Sequence, residues 1–308
     1  MFYRSLYKAN RLTTSIRYPG RQRVRQTATK FMRKALAALA QTPAAPGESA
    51  DRTDWAEERA YWSSRFTQTS GERYGLEMHP IQGDNSTAPP MDLVSQIQNP
   101  QKANADVFFA TDLRTVHTHL LELGEHGFDP RGFERIMEMG VDLGRLIRHY
   151  FPFSTELFGC DVTDAVLGFV ERSLGPRVSI ARNGSRPPLP FRTGVFDFVY
   201  ANSVFTHIRF GETPAWFEEI HRVVRPGGCV IVSVFNPDVH LTHLSPRDFD
   251  RQVTKNGYLE WGRDETILEN YVFLNYDVLF DLWSRSFRVL ELRQHFKEQD
   301  HLILKKVV

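Results

Sequence analysis

The stretch IMEMGVDLGRL, residues 136–146, has the residue types and spacing to cradle a nucleotide. An apolar run delivers Glu138, and Gly140 and Gly144 then stand on either side of Asp142. A strand that ends in a glycine turn and re-enters a helix lets a ligand approach the backbone closely, since glycine carries no Cβ. The dinucleotide fingerprint needs Gly-x-Gly-x-x-Gly, which this loop does not supply, so a nicotinamide-dependent oxidoreductase ranks last among the readings. No metal constellation stands out. His117 and His119 are two apart on a helix and point to different faces. Cys160 and Cys229 are too few for a disulfide framework or a zinc cluster and read as small core residues.

The elements that must position this loop begin near residue 133. Short apolar runs, RIMEMG, ELFGCDV, RVSIA, VFDFVYA and GCVIVSVF, alternate with helical stretches. Runs apolar on both faces and spaced by helix lengths predict parallel strands covered on two sides. SFRVLELRQHF and QDHLILKKVV close the chain as a strand pair. Five strand–helix units followed by that pair predict an α/β fold with an antiparallel edge. Upstream, TDLRTVHTHLLELGEHG predicts a helix capped by Thr111, with Val116, Leu120 and Leu123 as its apolar stripe. Another helix is predicted near residues 54–66, where Trp55, Tyr61 and Trp62 could line a pocket or simply fill core.

Three segments follow: a basic arm and linker over 1–50, a helical and irregular extension or lid over 51–127, and the α/β domain over 128–308. The whole chain of 308 residues has 41% hydrophobic and 24% charged residues and a net charge of +1. That balance gives no global reason to expect a nucleic-acid or membrane partner. No apolar run approaches the roughly 20 residues that span a bilayer. Residues 1–40 differ, carrying arginines and lysines from Arg4 to Lys34 and no acid. Such an arm reads as solvated, as a peripheral contact to phosphate or anionic lipid, or as an organelle transit peptide. A cytoplasmic location is expected, with organelle targeting through the arm as its alternative.

Taken together, Glu138-x-Gly140-x-Asp142-x-Gly144, Cys160-Asp161 at the end of the second strand, RNGSRPPLPFRTGVFDFVYANSVFTHI and EEIHRVVRPGGCVIVSV resemble the class I S-adenosylmethionine-dependent methyltransferases. The likeness is to their small-molecule branch, common in bacterial biosynthetic clusters. It covers about residues 128–235 well and leaves residues 1–105 without support. It implies a Rossmann-like, seven-stranded, mostly parallel sheet with an antiparallel C-terminal strand pair, helices on both faces and an N-terminal helical extension. The implied cofactor is S-adenosyl-L-methionine. On that likeness Glu138 and Gly140 would lie by its methionine end, and Gly144 would open the following helix. Asp161 and Val162 would meet the ribose and adenine, Asn183 and Gly184 the adenine edge, and Asn202 the methionine part. Each has a plainer reading: Glu138 and Asp161 as caps, Asn183 as a turn residue.

Asp142 departs from the family, which usually has glycine there. Aspartate tolerates a left-handed backbone better than most residues. Its charge would repel the cofactor carboxylate and attract the ammonium and sulfonium, each effect being worth about 1 kcal/mol at a surface. A hydroxyl acceptor benefits from a general base, and His207 in SVFTHI is the candidate, with a packing or capping role as its alternative. His295 and Tyr271 are weaker candidates on the acceptor side. The expected reaction is methyl transfer to a small-molecule acceptor, a sugar, polyketide or lipid-linked intermediate, most simply O-methylation. The alternatives are a non-catalytic binding or scaffold protein whose loop is closed by Asp142, and a nucleic-acid methyltransferase using the basic arm.

Overall fold

A computed structural model describes residues 93–94, 105–151, 153, 156–175, 177–235, 246–262, 270–295 and 299–307. The basic arm, the linker and the helix expected near residues 54–66 lie outside the described residues, as does most of the irregular stretch that follows.

Five parallel strands form the centre of the sheet: β1 (Arg135–Met139), β2 (Glu156–Asp161), β3 (Val178–Arg182), β4 (Phe196–Ala201) and β5 (Val224–Val234). Two further strands, β6 (Tyr258–Gly262) and β7 (Asn270–Leu274), make a separate antiparallel hairpin. β8 (Arg288–Arg293) and β9 (Asp300–Lys305) complete the main sheet; β9 is antiparallel to both β5 and β8, so it alone runs against the other strands. The order is β3-β2-β1-β4-β5-β9-β8, so the expected seven-stranded sheet with its antiparallel terminal pair is present.

Alternation along the strands assigns the two faces. Met137, Val199, Val230, Val232, Leu302 and Leu304 belong to one buried cluster, and Ile136, Phe198, Tyr200, Ile231 and Ile303 to the other. The first face is covered by α3 (Thr213–Val223) through Trp216, Phe217 and Ile220, and by α5 (Tyr276–Trp283) through Leu279 and Trp283. The second is covered by α1 (Ala105–Glu125) through Val116, Leu120 and Leu123, and by α2 (Asp164–Leu174) through Leu167 and Val170. A fifth helix, α4 (Pro246–Asn256), precedes the hairpin. Both cysteines are free, buried and set in strands, and burial pushes both thiols up, which makes them inert core residues.

Three expectations are corrected, and two further features were not foreseen. Thr111 does not cap α1, because the helix begins at Ala105 and the apolar run ADVFFA carries its period upstream. Gly144 opens no α-helix: the link from β1 to β2 holds a single 3₁₀ turn, Ile147–Tyr150, and Pro152, which cannot donate into a helix, follows within a turn. The described residues between β3 and β4 also lack a helix, so the strand–helix alternation is incomplete. The β6–β7 hairpin was not anticipated. Arg225-Pro-Gly-Gly is a bulge inside β5: Val224 pairs with Phe196 and Cys229 with Phe198, so five residues of one strand advance against two of the other.

Candidate active site

Strand order reverses between β1 and β4, the place where a ligand crevice forms beyond the carboxyl ends of a parallel sheet. A cavity of about 450 Å³ is lined by residues that follow all five parallel strands. They include Glu138, Gly140 and Asp142 from β1 and its loop, Asp161 and Val162, Asn183 and Gly184, Asn202 and His207, and Phe235. The volume is within the roughly 300–1,000 Å³ usual for small-molecule sites. Of the residues singled out in the sequence, Gly144 and His295 are not in this lining.

The β1 loop is bent over β2 by two hydrogen bonds, Gly140 N and Val141 N donating to Cys160 O at 2.8 and 2.9 Å. Gly140 has φ +74°, and a Cβ there would stand 2.6 Å from Val204 Cγ2. Gly144, at φ +71°, is packed the other way: a Cβ would meet Leu174 Cδ1 at 2.5 Å, so its smallness serves helix packing rather than a ligand. Asp142 adopts φ +49°, keeping the turn that glycine would make. Its Oδ1 accepts from Leu143 N at 2.6 Å and its Oδ2 from Arg145 Nε at 2.8 Å. The carboxylate is thus folded onto its own loop and neutralised by a side chain one turn away. Asp142→Gly is therefore expected to change S-adenosylhomocysteine affinity by less than about threefold, the scale of a partly exposed ion pair. Calorimetric titration of both proteins checks this, and binding by the glycine variant alone would mean that Asp142 closes the site.

Asp161 ends β2, and its carboxylate accepts from Thr163 N at 3.0 Å and Asp142 N at 3.3 Å. Burial raises its pKa, the two backbone donors only partly offsetting that, while neighbouring Asp142 raises it further. Asn183 follows β3. Its Nδ2 donates to Gly184 O at 2.8 Å, which leaves Oδ1 buried with no hydrogen-bond partner among the described residues. An acceptor orphaned at a cavity wall is satisfied by a ligand donor.

On the β1–β4 side, Glu138 is buried and accepts from Tyr200 Oη at 3.0 Å. His207 Nδ1 lies 2.7 Å from Asn270 O in β7. A carbonyl can only accept, so Nδ1 carries the proton and Nε2 is left with its lone pair. Burial lowers the His207 pKa and the bond to Asn270 only partly restores it, so the ring is neutral at pH 7. The unanticipated hairpin is what holds this histidine. Val272 N donates to Thr206 O at 2.8 Å, and Tyr271 and Trp261 stack with ring centroids 5.6 Å apart. Tyr271 lies 5.4 Å from the His207 ring and 6.3 Å from Phe235, giving the cavity an aromatic wall.

His295, considered as a catalytic candidate, is turned elsewhere: its Nε2 is 3.1 Å from Glu122 Oε1. Burial pushes the Glu122 carboxyl up, but hydrogen bonds from His295 and His301 outweigh it and hold the pKa at about 2. Sequence reading also missed Arg145, Ser203, Phe235 and Gln299. Arg145 was legible as the i+3 partner of Asp142. Ser203, at φ +57°, was not: its N–H donates to Ser233 Oγ, which donates to Gln299 Oε1, a chain joining segments far apart in sequence.

Residues 137–232 match a family described as "Methyltransferase domain". No curated protein matches the chain. Among solved structures, an S-adenosylmethionine-dependent methyltransferase from Mesorhizobium loti is similar at 13% identity and a TM-score of 0.48, over 61% of this chain and 97% of that one. A methyltransferase from Methanosarcina mazei is similar at 20% identity and a TM-score of 0.42, over 57% and 93%. The N-methyltransferase NodS from Bradyrhizobium japonicum, in complex with S-adenosyl-L-homocysteine, is similar at 14% identity and a TM-score of 0.45, over 70% and 95%.

Proposed function

We propose that this chain, whose residues 137–232 match a methyltransferase domain, is a class I S-adenosylmethionine-dependent methyltransferase that methylates a hydroxyl of a small acceptor held against Tyr271 and Phe235. The observation that carries the reading is His207, held by Asn270 O as a neutral base in the cavity that also contains the glycine loop, Asp161 and Asn183.

The residues present fit the cofactor. Asn183 offers an unpaired buried acceptor to an adenine amino group, and Asp161 offers carboxylate lone pairs to ribose hydroxyls. Glu138 and Asn202, both in the cavity lining, would face the methionine part, and Asp142, already paired with Arg145, adds no free charge. When bound, S-adenosylmethionine supplies a methyl group already activated on a sulfonium, so the protein has mainly to align the acceptor and take its proton. Nε2 of His207 accepts the hydroxyl proton as the acceptor oxygen becomes nucleophilic. Nδ1 stays bonded to Asn270 O, which stabilises the imidazolium so formed. The aromatic wall favours a planar, polyketide-like hydroxyl acceptor over a free sugar, because stacking against tyrosine and phenylalanine rewards flat apolar faces.

A panel of phenolic polyketide-type compounds, free sugars and lipid-linked alcohols, incubated with methyl-labelled cofactor and analysed by mass spectrometry, tests this. The expected product is an O-methyl ether on a phenolic member. Turnover of sugars alone, or an N-methyl product, would overturn the reading. Failure of the folded protein to bind S-adenosylhomocysteine would favour a scaffold instead.

A further inference from the structure

A second group of chemistry-bearing side chains lies outside the cavity. Glu122 from the last turns of α1, His301 from β9 and His295 from just beyond β8 converge, each offering one ligand atom, and these atoms all lie within 4.8 Å of one another. None of the three lines the cavity described above. We propose that Glu122, His295 and His301 form a binding site for one divalent first-row transition-metal ion of the zinc type.

Ligand chemistry sets the class of ion. Two imidazole nitrogens and one carboxylate suit zinc, cobalt or ferrous iron. Magnesium and calcium prefer all-oxygen shells, and a cuprous ion prefers thiolate or thioether. The arrangement is close to what such an ion needs. His301 Nδ1 is 3.0 and 2.9 Å from the two Glu122 oxygens, and His295 Nε2 is 3.1 Å from Oε1. Ligands at about 2.0–2.2 Å from a tetrahedral ion stand roughly 3.3–3.6 Å from each other, so the two carboxylate–imidazole separations open by a few tenths of an ångström. The proton that each imidazole donates to Glu122 then moves to its other ring nitrogen or to solvent, and the ion takes its place. With three protein ligands, at least one position is left for water.

Burial gives the site both a reason and an entrance. The Glu122 side chain has no exposure, and among the described residues its ion-pair partners are the two imidazoles, with no guanidinium or ammonium beside the carboxylate. Arg293, the nearby cation of β8, is already shared between Glu125 and Glu291. A buried carboxylate demands counter-charge, and a divalent ion supplies it more completely than a hydrogen-bonded ring. The His295 side chain, 20% exposed, lies on the solvent side and provides the route in. Its backbone N–H donates to Asp300 Oδ1 at 2.9 Å, and Tyr276 Oη donates to Oδ2, so the backbone at His295 is held before any ion arrives. An ion here would cross-link α1 to the β8–β9 edge of the sheet.

The full chain, stripped with a chelator and dialysed, is titrated with zinc and separately with cobalt(II). The expected result is one ion per chain, cobalt absorption bands of nitrogen–oxygen coordination, and a melting temperature raised by roughly 5–10 °C at a hundredfold excess over Kd. His295→Asn and Glu122→Gln are expected to weaken binding by about tenfold or more, and His221→Asn, a histidine elsewhere, to leave it unchanged. Absence of stoichiometric zinc binding by the wild type, or equal binding by His295→Asn, would overturn the proposal. Should Glu122→Gln fail to fold, His295→Asn and the cobalt spectrum of the wild type still decide it.

Discussion

Glutamine in place of His207 lowers kcat by about 10²–10⁴-fold with any hydroxyl acceptor that the wild type turns over, the usual contribution of a positioned general base. Glutamine retains a donor for Asn270 O but has no nitrogen lone pair to receive a proton. The change is expected in kcat, while affinity for S-adenosylhomocysteine stays within about threefold, since a lost proton acceptor does not alter how the cofactor is held. The pH profile gives an independent sign. Burial sets the His207 pKa below its ordinary 6.5, so the base is protonated and inactive only on the acid side. Log kcat of the wild type should rise with pH through that pKa and level off by neutrality. In the glutamine variant the rising limb disappears. Stopped assays across pH 5–8, paired with titration of the product analogue, measure both effects, and a persistent limb in the variant would assign the base elsewhere.

How much of this was legible without coordinates depended on how local the determinant was. The β1 loop, the acid that ends β2 and Asn183 are each fixed by a strand end and its next few residues, and short apolar runs mark those strand ends. They stand together in one cavity because parallel strands end on one side of the sheet. His207 was legible as a position after β4 but not as a tautomer, since the atom that fixes its proton, Asn270 O, comes from a hairpin sixty-three residues on. That hairpin was hidden because α4 and residues 263–269 separate its strands from any repeating pattern, and Tyr271, read only as an acceptor-side candidate, had nothing in sequence to pair it with Trp261. His295 was misplaced for a related reason. It was expected on the acceptor side, whereas its partner, Glu122, lies 173 residues upstream. The α-helix expected after Gly144 failed on a smaller point, a proline too near the glycine turn to leave room for more than one 3₁₀ turn.

Asparagine in place of Asp161 should weaken S-adenosylhomocysteine binding by roughly 10–100-fold, because hydrogen bonds to a charged acceptor are worth about 1.5–3 kcal/mol. Asp161 performs two tasks with one carboxylate. Oδ1 and Oδ2 receive Thr163 N and Asp142 N, which fixes the β1 loop against the end of β2, and the remaining lone pairs are free for ligand hydroxyls. An amide can satisfy only one of the backbone donors. Its NH₂ would face the other, leaving a donor against a donor and two fewer acceptors for the ribose. The titration of Asp161 separates these losses from simple unfolding. Its pKa is raised by burial and by Asp142, while ribose donors favour the ionised form, so binding releases a proton at pH values near that pKa. Wild-type affinity should therefore fall on acidification, beginning at a higher pH than for an exposed aspartate, and in the asparagine variant this dependence should be absent. Thermal unfolding of the unliganded variant, run alongside, shows whether the loop contact alone accounts for the change. A variant that binds like the wild type, with the same pH dependence, would mean that the ribose is held by other groups.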